Sequence, residues 1–131
     1  RGVLAQVGLA VDPGRRVGDL IVAEKQLVEI AKALARQARL LVMDEPTATL
    51  TPAETRRLFA LIEQLRASGV TILYISHKLD EVERITDEVV VMRDGRLVAR
   101  EPTPGLSRQR MANLMVGREL SDMFPARHAT C

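Results

Sequence analysis

The sequence predicts an α/β fold, in which helices flank a parallel sheet and a β-hairpin follows near the C-terminal end. Helical and strand patterns alternate along most of the chain, which is the order of a parallel sheet with crossover helices. The two strand patterns are nearly continuous apolar runs, as in strands at the centre of a covered sheet. The dipeptide Asp94-Gly95 separates two further β-rich runs and is a strong hairpin signal.

Size and composition limit the classes of protein to which the chain can belong. Its 131 residues suit one domain, and a hydrophobic content of 47% excludes a disordered segment. No apolar run approaches the roughly 20 residues of a membrane span, and no signal peptide is visible. The single cysteine, Cys131, excludes an internal disulfide and fits a reducing compartment. We therefore expect a soluble, cytoplasmic chain.

The first half of the chain contains helix, strand and turn signals in order. Residues 1–10 have a helical pattern that ends toward the turn Asp12-Pro13-Gly14. A long helix is predicted near 22–37, and strand 40–44 follows it. Apolar residues repeat at helical spacing along that helix and are expected to face a core. They are Leu27, Ile30, Ala31 and Leu34.

The next helix has an explicit start signal. Thr51-Pro52-Ala53-Glu54 is a capping-box pattern with proline at the first helical position, and Gly69 marks the end. Its predicted core residues are Leu58, Leu61, Ile62 and Leu65. Strand 70–75 follows and is rich in β-branched residues.

The last third is predicted to contain a hairpin between two helices. A short helix near 79–86 precedes strands 88–93 and 96–100. A final helix covers about 107–116, and the segment from Gly117 reads as a loose polar tail.

The strongest functional signal is Leu-Leu-Val-Met-Asp-Glu-Pro at 40–46. Two adjacent carboxylates, Asp44 and Glu45, follow a short apolar strand that we expect to be buried. Ligands bind at the carboxyl ends of strands in open α/β sheets. A carboxylate pair there suits a magnesium–phosphate site, with one group holding the metal and the other handling the attacking water. The structural alternative is a solvated turn.

Taken in order, the motifs resemble the second half of an ATP-binding-cassette (ABC) ATPase domain. Leu20 to Gln26 (LIVAEKQ) stands where that family has its signature, usually LSGGQ, and Leu40 to Glu45 matches the Walker B strand. Ala48 to Thr51 matches the D-loop and Tyr74 to His77 the switch histidine. Finer wording, such as MDEPTATLT and YISHKLDEV, resembles the first of two fused ATPase halves in bacterial importers of ribose, xylose and related sugars.

This resemblance implies a partial P-loop NTPase fold with three segments. Residues 1–38 would belong to the helical subdomain that carries the signature, and residues 39–116 to the C-terminal part of the RecA-like core. Residues 117–131 would begin a linker, since Met115 to Leu120 resembles the point where the first half ends.

The resemblance also assigns roles at the predicted hydrolytic site. Asp44 would hold Mg²⁺ through water, Glu45 would polarise the attacking water, and His77 would contact the terminal phosphate. Adjacent parallel strands end side by side, so His77 can approach the pocket of Glu45. The alternative for His77 is a cap on the helix that begins near residue 79.

The signature and the D-loop depart from the family pattern. Ile21, Val22, Ala23 and Glu24 would face the ATP held by the opposing half. Ile21 replaces the usual serine and removes a hydroxyl donor, whereas Glu24 adds a negative charge near an anion. The alternative is a plain helix cap. Thr51 stands where the family's D-loop has aspartate. The capping role of Thr51 is a sufficient explanation for a threonine at this position.

The implied cofactors are ATP and Mg²⁺. The implied partners are a second ATPase half, transmembrane permease subunits and, indirectly, a periplasmic sugar-binding protein, at the cytoplasmic face of the inner membrane. However, no GxxxxGK[ST] P-loop occurs in the 131 residues. We therefore expect the isolated chain to be inactive, and to be poorly soluble or oligomeric because its sheet lacks cover.

Two other functions stay open at this point. One is an ABC-type ATPase linked to nucleic acid, against which the net charge of +2 and the three aromatic residues argue. The other is a non-catalytic module that pairs with an intact ATPase half.

Overall fold

The computed structural model describes residues 2, 5, 7–9 and 12–117, and the chain divides into two compact units, Arg1–His77 and Lys78–Cys131. In the first unit the elements are helix α1 (Val22–Ala35), strand β1 (Leu40–Asp44), helix α2 (Pro52–Ala67) and strand β2 (Thr71–Ile75). In the second they are helix α3 (Leu79–Ile85), strands β3 (Glu88–Arg93) and β4 (Arg96–Pro102), and helix α4 (Arg108–Val116). The predicted α/β fold, with a parallel sheet, flanking helices and a hairpin, is confirmed.

Strands β1 and β2 form the parallel sheet of the first unit. Their register runs from Leu40 opposite Thr71 to Asp44 opposite Ile75. Helix α2 packs against β2, where the rings of Phe59 and Tyr74 meet edge to face with centroids 6.5 Å apart. The core residues predicted for α2 are all buried, and Phe59 joins them.

Strand 40–44 is buried on one face only, so the expectation of a buried strand is wrong for the other face, which instead agrees with the expectation that the sheet lacks cover. Leu41 and Met43 are 8% and 7% exposed, whereas Leu40 and Val42 are 56% and 59% exposed. Side chains alternate between the faces of a strand, and α2 lies on the face that carries Leu41 and Met43. Among the described residues, nothing buries the opposite face.

The helix ends follow the signals in the sequence closely. Helix α1 ends at Ala35, two residues before the predicted limit, and Gln37 adopts a positive φ of 57° just beyond it. Its Ile30 and Ala31 are buried, whereas Leu27 and Leu34 are half-buried. Helix α2 begins at Pro52, as predicted.

The second unit is the hairpin β3–β4 with α3 and α4. Asp94 and Gly95 both have positive φ, 52° and 73°, as a two-residue type I′ turn requires. Its core cluster contains Val82, Leu106 and Met111. The predicted polar tail beyond Gly117 lies outside the described residues.

None of the helices in the described part of the chain is long and apolar enough to cross a membrane.

Candidate functional site

Glu45 lies at the carboxyl end of β1, where the chain leaves the sheet. Its backbone N–H donates to the carbonyl oxygen of Ile75 at 2.8 Å, which extends the pairing of β1 with β2 by one more bond. Its φ of 47° lies in the left-handed region, which is uncommon for a residue with a side chain. Such backbone strain clusters at functional sites, because the surrounding structure must hold it in place.

The Glu45 side chain contacts His77, which follows β2. The His77 Nδ1 atom lies 2.9 Å from Glu45 Oε1. An ionised carboxylate can only accept, so Nδ1 donates when Glu45 is charged and Nε2 is left for a ligand. The N-cap of α3 is Lys78, so His77 does not cap that helix as the alternative interpretation required.

The second carboxylate oxygen of Glu45 is buried and, within the described part of the chain, has no hydrogen-bond partner. The great majority of buried polar atoms in proteins are hydrogen-bonded, so an orphaned acceptor calls for an explanation. A carboxylate with one oxygen buried and the other held by His77 is not the fully solvated turn of the structural alternative. A carboxylate fixed in this way is a candidate general base.

Asp44 is exposed and lies opposite Ile75 at the end of β1. No group of three or more metal-ligating side chains occurs among the described residues. Mg²⁺ is usually held by one or two carboxylates together with waters and substrate phosphates. A single accessible carboxylate beside Glu45 therefore fits Mg²⁺ bound with a nucleotide, and does not fit a site built from protein ligands alone.

The residues predicted to form the signature lie at the start of α1. Ile21 is the N-cap, and its backbone N–H donates to Glu24 Oε2 at 3.0 Å. Ile21 and Val22 are more than half exposed, and Ala23 is half-buried. Glu24 thus serves as an internal cap, as the structural alternative for this segment expects, and Ile21 contributes no polar side-chain atom.

Thr51 caps α2 in both directions. Its hydroxyl accepts from the Glu54 N–H at 3.3 Å, and its own N–H donates to Glu54 Oε2 at 2.8 Å. The starts of the two helices line one cavity of about 550 Å³, which includes Ile21, Glu24, Leu50 and Glu54. The structure therefore groups the signature with the start of α2, and groups Glu45 with His77.

Gln26 makes a contact near the site that was not predicted from the sequence. Its side-chain amide donates to the carbonyl oxygen of Pro46, the residue after Glu45, and so ties α1 to the loop that follows β1. Gln26 is half-buried on a helix with a core-facing side, and such a partly buried amide needs a partner. The need of this amide for a partner could be expected from the sequence, but the identity of that partner, Pro46, could not.

The chain is similar to sugar-import proteins over nearly its whole length. It is 54% identical over 125 residues to the ribose import ATP-binding protein RbsA 3 of Rubrobacter xylanophilus, covering 95% of this chain and 25% of that protein. It is 49% identical over 123 residues to the xylose import ATP-binding protein XylG of Escherichia coli K12, covering 94% and 24%. No family model matches.

Solved structures agree with these relatives. MJ1267, an ATP-binding cassette of an ABC transporter, superposes with a TM-score of 0.75 at 30% identity, covering 88% of this chain and 46% of that one. A putative metal-chelate type ABC transporter superposes with a TM-score of 0.78 at 20% identity, which supports the fold alone. The chain therefore spans about a quarter of its curated relatives and less than half of a solved cassette.

Proposed function

Since this chain is homologous to the ATP-binding subunits of sugar importers, we propose that the protein containing it hydrolyses ATP to drive sugar import through an ABC permease. The observation that carries the proposal is the Glu45–His77 pair with its buried, unpartnered carboxylate oxygen. The chain is about 50% identical to ribose and xylose import proteins, and its motifs resemble those to which that family owes water activation.

Each group at the carboxyl ends of β1 and β2 has a separate role in this proposal. The Glu45 carboxylate accepts a proton from the attacking water, and His77 Nδ1 holds it in place by donating to Oε1. The other ring nitrogen of His77 contacts the terminal phosphate. Asp44 would hold Mg²⁺, which would supply charge compensation for the phosphates.

The remaining residues act on a second nucleotide. Ile21, Val22, Ala23 and Glu24 face the ATP held by the opposing ATPase half, with Thr51 alongside. The backbone N–H groups at the start of α1 suit an anion. Because Glu24 places a negative charge at that start, we propose a weakened contact. Residues 1–38 form the signature-bearing subdomain, residues 39–116 the core, and residues 117–131 the start of a linker.

The partners follow from this role. They are a second ATPase half, transmembrane permease subunits and, indirectly, a periplasmic sugar-binding protein, with the ATPase at the cytoplasmic face of the membrane. Since the 131 residues contain no P-loop, the phosphate-binding loop must come from sequence outside them.

A chimera tests the proposal. The corresponding segment of the Rubrobacter xylanophilus relative is replaced by this chain, and phosphate release is measured with and without Mg²⁺. We expect Mg²⁺-dependent turnover, and Glu45→Gln should lower it by roughly 100-fold or more while ATP binding is kept, because a general base contributes 10²–10⁴-fold.

The matched control is Glu63→Gln. Glu63 is an exposed carboxylate on α2 that pairs with Arg66, so its loss should leave turnover within about twofold. Unchanged turnover in Glu45→Gln would remove Glu45 from the proposed role. An active parent chimera with no response to Mg²⁺ would reject the Asp44 assignment.

A further inference from the structure

We infer that Gln26 is a positioning residue for Glu45, because its side-chain amide holds the carbonyl of Pro46 and so fixes the backbone that carries the Glu45 carboxylate. Gln26 lies in the second turn of α1, 20 positions before Pro46 in the chain. In this role it acts through Glu45 and does not itself touch the substrate. The inference rests on the proposed function of Glu45 and deepens it by naming a residue on which the geometry of the base depends.

The backbone at Glu45 has a conformation that the local sequence does not favour. Its φ of 47° lies in the left-handed region, which a residue with a side chain adopts uncommonly. Glu45 also precedes a proline, whose ring drives the preceding residue toward extended conformations. Contacts from elsewhere in the fold must therefore hold Glu45 in this conformation, because its local preferences would release it.

Hydrogen bonds hold this segment on both sides of Glu45. Toward β1, the Glu45 N–H donates to the carbonyl oxygen of Ile75 at 2.8 Å. Beyond it, the Glu45 carbonyl oxygen accepts the Ala48 N–H at 3.2 Å, which closes a tight turn. That turn is local to the loop, whereas the Gln26 amide donates to Pro46 from a different element and so anchors the loop to α1.

Pro46 depends on this amide because proline offers a single backbone group for anchoring. It has no N–H, so its carbonyl oxygen is the backbone group through which it can be held. Pro46 is buried and Gln26 is half-buried, so the carbonyl would lose its donor in a part of the protein that water reaches poorly. An unpartnered buried acceptor is costly, so the loop would shift to find another donor, and the neighbouring Glu45 would shift with it.

Two separate contacts thus determine where the Glu45 carboxylate lies. His77 Nδ1, 2.9 Å from Oε1, holds the side chain, and Gln26 holds the backbone. A general base must lie within hydrogen-bond reach of the water that it deprotonates, and a displacement of about 1 Å can cost roughly 100-fold in rate. Loss of the Gln26 amide should therefore lower turnover and leave the affinity for ATP unchanged.

Variants of Gln26 in the chimera with the Rubrobacter xylanophilus relative test the inference. Gln26→Met keeps the length of the side chain and removes the donor, whereas Gln26→Glu keeps its shape and places an acceptor against the Pro46 carbonyl. We expect kcat for phosphate release to fall roughly 10- to 100-fold in Gln26→Met and further in Gln26→Glu, with the dissociation constant of ATP within about twofold of the parent value.

The matched control is Gln64→Met. Gln64 is an exposed glutamine on α2, in the same unit as Gln26. Its replacement by the same residue should leave kcat within about twofold of the parent value, because exposed substitutions away from special contacts have small effects.

Hydrogen exchange gives a second readout that does not depend on hydrolysis. In Gln26→Met the N–H groups of Glu45 and Ala48 should exchange about threefold to tenfold faster, which is the factor that one net hydrogen bond is worth. The N–H groups of β4, in the second unit, should exchange as in the parent. A response confined to the loop would show that Gln26 holds this segment and not the fold as a whole.

Four outcomes would overturn the inference. They are unchanged exchange at Glu45 and Ala48, an unchanged kcat in an active chimera, equal losses in Gln26→Met and Gln64→Met, and faster exchange throughout the chain with β4 included. The last would mean that Gln26 supports the whole fold. An inactive parent chimera would instead reject the proposed ATPase function, whereas the exchange data would still show whether Gln26 holds the Glu45 backbone.

Discussion

Helices α1 and α2 both have a glutamate in the first turn that bonds the N-cap backbone, but they differ in the N-cap residue itself. At each start the third helical residue is a glutamate whose carboxylate accepts the N–H of the N-cap residue, at 3.0 Å for Glu24 and 2.8 Å for Glu54. At α2 the Glu54 N–H also donates to the Thr51 hydroxyl oxygen. At α1 the N-cap is Ile21, which has no side-chain acceptor to offer.

We call the start of α2 closed, because side chains of the protein cap it fully, and the start of α1 open, because its N-cap side chain accepts no hydrogen bond. All four groups of a full capping box are satisfied by the protein at α2, so this start has a complete structural explanation. At α1 the Glu24 N–H receives no bond from the N-cap side chain and can face an anion, although the nearby carboxylate opposes one. A signature at α1 therefore relies on backbone donors, whereas Thr51 at α2 needs no ligand to explain it.

Ile21→Ser, assayed in the chimera with the relative, tests the start of α1. We expect turnover equal to or above that of the parent, because a hydroxyl donor to a phosphate oxygen is worth about 1.5–3 kcal/mol. Val17→Ser is the control, since Val17 is similarly exposed and lies before the helix start. A clear loss of phosphate release in Ile21→Ser alone would show that the signature assignment is wrong in detail.

Removing the hydroxyl at the closed start should have a smaller effect, on stability. Thr51→Ala should lower the free energy of unfolding of this chain by about 1 kcal/mol, because the cap to the Glu54 N–H is lost. Ile21→Ala, the matched change at the open start, removes no cap and should cost clearly less. Urea unfolding followed by far-ultraviolet circular dichroism measures both. Equal losses would mean that the two starts do not differ as the hydrogen bonds indicate.

Neutralising either glutamate should have the smallest effect on the free energy of unfolding, and the two effects should be nearly equal. Glu24→Gln and Glu54→Gln keep an acceptor but remove a charge at a helix N-terminus, so each should cost about 0.5 kcal/mol at low salt. Both losses should shrink in 1 M NaCl, as screening predicts. The same unfolding assay at two salt concentrations checks this. A loss at only one of the two positions would contradict the shared role of the carboxylates.

Much of the fold could be predicted because its signals are local. The four residues Thr51-Pro52-Ala53-Glu54 contain all the signals that begin α2. The buried side of α2 follows from the helical spacing of Leu58, Leu61, Ile62 and Leu65. Asp94-Gly95 places the hairpin turn by backbone preference alone. In each case neighbouring residues supply the geometry, so no distant contact is needed.

The sequence by itself determined the elements and placed Asp44, Glu45 and His77 after two strands. Only the tertiary structure decided that the Glu45 carboxylate contacts His77, 32 positions away, because that contact depends on the parallel register which brings the strand ends together. It also decided that Leu40 and Val42 are exposed, whereas Leu41 and Met43 are buried. Four apolar residues in a row carry no alternation to show which face is covered, and the packing of α2 on one side of the sheet supplies that information.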